Sequence, residues 1–324
     1  MALWTDVIGP AELTGFARTA LDAVDVSPLA SALPNIVQDQ VKFSYRVGVS
    51  NSDAAGYGDF DTESSIGDGP GGEERTIRLL PVMRKYPLSE YEQITDPDMV
   101  REKAFEKTEA AVRAVMRRLL LARGEVLQNG ALALDEYGIV QTVDFDRAAA
   151  QTDASPVAAW DGSNADPIAD LTAWADLIVD KTGFAPDQII MSTKAAAAAG
   201  VALAEAGYIT GSAPVVARDA VNEVFQSHSL PVITVYDGRV GGKRVIAEDR
   251  VIMVAGGGAA GGTIFGPTVE SQDARYNLAG GDQAGIISGL YREDDPPLAW
   301  ALGKAVALPI LTNPNATLSA KVFS

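Results

Sequence analysis

The stretch RVIMVAGGGAAGGTIFGPTVE, residues 250–270, decides how this chain is read. Gly256, Gly258 and Gly261 have the G-x-G-x-x-G spacing of a dinucleotide-binding loop, and a strand-like run, RVIMVA, precedes them. Such a loop needs a helix to open within it, because the helix N-terminus holds the pyrophosphate. After Gly262 comes TIFGPTVE, in which β-branched and aromatic residues lead to a Gly266-Pro267 break. That reads as a second strand. The expectation is therefore a glycine turn between two strands, at which small residues let the backbone of a neighbouring chain come close. A nucleotide-dependent enzyme using residues 256–262 is the distant alternative.

Working outward, catalytic chemistry is sparse. The chain has 324 residues and no cysteine, which excludes disulfides, thiolate catalysis and cysteine-bound metals. Its one histidine, His228, sits in FQSHSLPV without a G-x-S-x-G elbow and reads as an exposed residue before a strand. YDGRVGGKRV misses a Walker loop, with Asp237 where the first glycine belongs and Arg244 where Ser or Thr should follow Lys243. The acid pairs Asp59/Asp61 and Asp144/Asp146, and the run Glu293-Asp294-Asp295, have no further oxygen ligand at fixed spacing. No catalytic residue, cofactor or metal set is expected, and the surface becomes the place to look for function.

With 47% hydrophobic residues the chain can bury a substantial core, yet no run reaches the roughly 18 apolar residues of a membrane span. A soluble protein of the cytoplasm is expected. The 43 acids against 26 bases give a formal charge of −17, which opposes tight nucleic-acid binding.

Along the chain, residues 1–40 are broken by Pro10, Pro28 and Pro34 and read as an arm that needs something to lie on. QVKFSYRVGV and ERTIRLLPVMRKY are strand-like, and residues 50–74 between them hold six glycines, seven acids and no Lys or Arg. They read as the two sides and the tip of a long hairpin. A helix is predicted over 98–128, with Asp96 as its cap and Asn129-Gly130 as its stop. Val100, Ala104, Ala111, Val115 and Leu119 form its apolar face. Next come the strand GIVQTVDF, helices in 167–183, 193–207 and 213–226, short strands at PDQIIMS and LPVITVYDG, and a hairpin of KRVIAED with RVIMVAGG. The tail, from residue 294, has two more strand-like runs.

This order of parts resembles the Hong Kong 97-type fold of tailed-phage major capsid proteins. LPVITVYDG, the glycine stretch with its closing FGPTVE, and DDPPLAWALGKAVALPILTNPNATLSAKV resemble segments of the lambda-type branch, the major capsid protein E family, with Phe265 in place of the usual tyrosine. The resemblance implies an α+β fold with an N-arm (1–40), an extended E-loop hairpin (41–85), a P-domain (86–167) with its spine helix (98–128), an α/β A-domain (168–283) and a C-terminal return to the P-domain (284–324). It implies a structural protein, not an enzyme, that self-assembles into hexamers and pentamers of an icosahedral shell around double-stranded DNA. An encapsulin-like nanocompartment shell is the nearer alternative. Assembly in the host bacterial cytoplasm, a virion location, a separate scaffolding protein, a portal, a decoration protein and only weak contact with packaged DNA are implied alongside, and no membrane partner is. Inter-subunit contacts are expected from Asp59, Asp61, Glu73 and Glu74 of the E-loop against Arg113, Arg117 and Arg118 of the spine helix. Covalent cross-linking through an E-loop lysine is not expected, since the nearest lysines, Lys42 and Lys85, lie outside the loop segment 50–74.

Overall fold

The computed structural model describes residues 2–47, 57, 73–94, 97–209, 218–256, 258–278 and 280–324. Its longest element is the helix Pro97–Asn129, 33 residues that start at a proline and stop at Gly130, whose φ of 64° is left-handed. Asp96, the expected cap, lies outside the described residues. The expected apolar face is buried throughout: Val100, Ala104, Ala111, Val115 and Leu119 are each at most 2% exposed. It packs on a six-stranded sheet.

The centre of that sheet is the strand Ala299–Leu311. Gly261–Gly266 and Ile287–Arg292 pair with it antiparallel, and so does Pro81–Leu88. Ala2–Leu3 extends one edge and Asn35–Val37 the other, the latter in parallel. The thirteen residues of the central strand serve three partners: Ile287–Arg292 pairs with 299–304, Pro81–Leu88 with 299–306 and Gly261–Gly266 with 306–311. A second, four-stranded sheet runs Thr317–Lys321, Arg250–Ala255, Pro186–Met191, Ile233–Val235. Helices Pro167–Thr182, Thr193–Glu205 and Arg218–Ser227 share its core through Leu171, Leu203 and Phe225. Asp166 caps the first of these, its Oδ1 accepting from the Ile168 and Ala169 amides at 3.1 Å. Asp166→Ala is expected to cost about 1 kcal/mol in urea unfolding.

Several expectations change. RVIMVA and TIFG are joined by a turn, but they do not form one hairpin, since Arg250–Ala255 belongs to the second sheet and Gly261–Gly266 to the first. The glycines do not open a surface to another chain at the points of closest approach. A Cβ on Gly261 would sit 2.2 Å from the Ile310 carbonyl oxygen, and one on Gly262 2.7 Å from that of Pro34. KRVIAED does not pair with RVIMVA either. Lys243–Arg244 turns back on Arg239–Val240, whereas residues 251–255 are buried and need a strand on each side.

ERTIRLLPVMRKY is two strands. Glu73–Arg78 pairs with Lys42–Val47, Lys42 opposite Arg78, and Pro81–Leu88 crosses into the large sheet. Within residues 1–40, Pro10–Val24 is a helix that lies on its own chain, because Leu13, Ala17 and Leu21 recur every fourth residue and are buried against the long helix and the large sheet. The strand expected at GIVQTVDF is Ile139–Asp144, half of a hairpin with Ala131–Glu136.

Candidate assembly surface

No group of three or more His, Cys, Asp or Glu side chains among the described residues could hold a metal. His228 is exposed and its ring meets that of Tyr208 edge-on. Asp237 is a structural acid: it accepts from Thr193 at a helix start and from Arg244 at 2.6 Å, and these bonds hold its carboxyl below the usual range. The molecule offers instead a set of projecting ribbons and charged faces.

The first is the two-stranded ribbon of Lys42–Val47 and Glu73–Arg78. Alternation puts Phe43, Tyr45, Arg75 and Ile77 on one face, and Tyr45 and Ile77 are buried there. Burial pushes the Tyr45 phenol up, and its hydroxyl has no partner among the described residues. Arg75 ties the ribbon to the chain through the Asp146 carboxylate and the Asp144 carbonyl. On the outer face Lys42, Arg46 and Arg78 stand with Glu74, all exposed. Glu73 pairs with Arg75 at 3.3 Å. Asp59 and Asp61 lie outside the described residues.

The second is the solvent face of the long helix. Arg113 pairs with Glu109 one turn back at 2.5 Å, and Arg118 with Glu136 of the following hairpin at 2.8 Å. Exposed pairs of this kind contribute at most ~1 kcal/mol, so either arginine can exchange its partner at little cost. Arg117 is exposed without a charged partner among the described residues. Arg113 and Arg117 rim a groove of about 220 Å³ floored by Val24, Met116 and Leu120.

Two buried arginines brace this surface from behind. Arg123, 0% exposed, binds both Asp25 oxygens at 2.6 and 3.0 Å, Asn35 Oδ1 at 2.6 Å and Thr263 Oγ1 at 2.7 Å, so one guanidinium joins the long helix to three distant segments. Its signal is present in the sequence, as Arg123 comes four residues after Leu119 on the apolar stripe. Arg147 donates to the Leu127 and Gln128 carbonyls at 2.7 and 2.6 Å, a cation on the C-terminal end of the long helix. Desolvation lowers its pKa to about 10, which leaves it charged at neutral pH.

The profile of the family described as "Phage major capsid protein E" matches residues 50–322. No curated protein is similar in sequence. Among solved structures, a prophage protein of E. coli CFT073 assigned as its capsid protein superposes with a TM-score of 0.64 at 12% identity, over 97% of this chain and 99% of that one. A phage-related protein of Bordetella bronchiseptica RB50 gives 0.54 at 12% identity, over 98% of each. The SrpI encapsulin of Synechococcus elongatus gives 0.50 at 14%, over 92% and 89%. The family covers most of the sequence, and the fold agrees along nearly all of it. The chain belongs to the phage major capsid protein E family: it is a structural, shell-forming subunit and not an enzyme.

Proposed function

We propose that this subunit forms the hexamers and pentamers of an icosahedral head around double-stranded DNA, each E-loop (41–85) lying on the adjacent subunit. The observation that carries the reading is the ribbon of Lys42–Val47 and Glu73–Arg78, which pairs with no third strand among the described residues. Its inner face lies on its own chain through Tyr45 and Ile77, and a two-stranded ribbon gains stability when its outer face is covered as well. The acids at its far end and in the segment it carries, Glu73, Glu74, Asp59 and Asp61, then meet basic side chains of the neighbour, for which Arg113, Arg117 and Arg118 are the candidates. The division into an arm, E-loop, P-domain (86–167, with its return at 284–324) and A-domain (168–283) belongs to this reading. So do assembly in a bacterial cytoplasm and the scaffolding, portal and decoration proteins as partners. A charge of −17 suits an inner wall that must hold DNA without adhering to it.

Electron microscopy of purified protein tests the reading: closed particles or rings are expected, and a monodisperse monomer at high concentration counts against it. Nuclease-protected DNA in particles made during infection distinguishes a phage head from a nanocompartment. Changing Asp59, Asp61, Glu73 and Glu74 together to lysine is expected to lower particle yield by about tenfold or more while the subunit's thermal midpoint is kept. Undiminished yield removes the loop acids from the interface.

A further inference from the structure

We propose that the groove between the helices Pro10–Val24 and Pro97–Asn129 is a socket for the tip of the hairpin Ala131–Asp144 of a second copy of this chain. The inference rests on the shell reading, and at Arg113 and Arg117 it puts this hairpin in place of the loop acids.

The tip is unusual for a surface turn. Tyr137 and Gly138 form its two-residue connection with φ of 50° and 82°, a conformation that favours Asn or Gly in the first place. A bulky side chain there is strained, and strain of this kind persists where the side chain serves a function. Tyr137 is 95% exposed and Val140 82%, with Ile139 beside them, so the tip is an apolar knob. Asp135 and Glu136 flank it with negative charge.

The groove has the opposite character at each point. Its floor is Val24, Met116 and Leu120, its rim carries Arg113 and Arg117, and its one acid, Asp25, is already engaged by Arg123. A cavity of ~150 Å³ accommodates benzene, and this one has about 220 Å³. Ser27 lines it with a buried hydroxyl that has no partner among the described residues. A tyrosine hydroxyl entering the groove supplies that partner, the ring covers the floor, and Asp135 comes to the arginine rim, while Glu136 keeps its pair with Arg118 of its own chain. The match of charge, apolar area and hydrogen-bonding capacity fixes the occupant as a second copy. Because knob and socket are different patches, the contact is head-to-tail, and repeated around an axis it closes a ring.

The chain contains no cysteine, so an introduced pair reports one contact. Val24→Cys combined with Tyr137→Cys is expected to give disulfide-linked oligomers in oxidised particles, seen on non-reducing gels and absent when either substitution is made alone. Particles that form with the pair unlinked, or linked only within one chain, overturn the proposal, and the acidic loop as occupant of the groove would give the unlinked result. Electron microscopy of the unsubstituted chain comes first, because failure to form particles at all refutes the shell reading itself. Tyr137→Gly is the second variant. Glycine accepts a φ of 50° freely, so the subunit's urea midpoint is expected to stay level or rise. Particle yield is expected to fall about tenfold, and an undiminished yield overturns the proposal even if the cysteine pair fails to fold.

Discussion

Arg123→Ala is expected to destabilise the subunit by about 3–5 kcal/mol, because it removes one partner of a buried ion pair and leaves the other uncompensated. The Asp25 carboxylate, 5% exposed, would keep only the Asn35 amide at 2.9 Å, and Asn35 Oδ1 and Thr263 Oγ1 would each lose a donor. The loss acts on topology as well as on energy. Thr263 lies in a strand of the large sheet, Asn35 in its parallel edge strand, and Asp25 ends the first helix, so the guanidinium fixes how three segments far apart in sequence meet the long helix. Urea unfolding of the isolated subunit measures the effect. A double replacement, Arg123→Met with Asp25→Leu, is expected to recover most of the loss, since it removes both charges from the interior together. A single-variant cost below about 1 kcal/mol would place the pair among ordinary surface ion pairs.

Gly261→Ala is the second large effect. Gly261 has a φ of 144°, which an L side chain adopts only under strain, and its new Cβ would lie 2.2 Å from the Ile310 carbonyl oxygen and 2.9 Å from the Thr312 amide nitrogen. Strain and overpacking each cost about 1–3 kcal/mol, so their sum is several kcal/mol at a point where two strands pair. The expected outcome is a chain recovered mostly in the insoluble fraction, with a lowered thermal midpoint in whatever is soluble. Gly258→Ala is the internal comparison. It also has a positive φ, 72°, but nothing lies within 4 Å of its Cβ, and its cost should be near 1 kcal/mol. Equal effects at the two positions would show that backbone conformation, and not the close approach, constrains the turn.

The same two residues show how far the sequence is legible. The glycine spacing reads correctly as a turn because the strand-like TIFG lies directly after it, and a local pattern carries that information. That the two flanking strands join different sheets depends on partners at residues 186–191, 299–311 and 317–321, and no local pattern specifies such pairings. The long helix is readable to within a residue at each end, since 33 residues of periodicity outweigh single substitutions. The helix Pro10–Val24 escapes a reading by pattern although Leu13, Ala17 and Leu21 carry the same spacing, because prolines on either side suggest a broken arm. At the assembly surface, the charged residues can be picked by their types. Their partners cannot, as the pairing of Arg118 with Glu136 requires the hairpin Ala131–Asp144 to fold back along the helix. The groove at Val24 and Met116 likewise exists only once two helices have packed.

The position of Ala299–Leu311 at the centre of one sheet and of Thr317–Lys321 at the edge of the other has a consequence for synthesis on the ribosome. Neither sheet can close until residues 299–321 have emerged, so the long helix and the first helix wait for their floor while most of the polypeptide is already outside. Pairings of such long sequence separation form late. A nascent chain therefore presents no finished subunit to its neighbours until those residues have left the ribosome, and their emergence is the event that completes the fold.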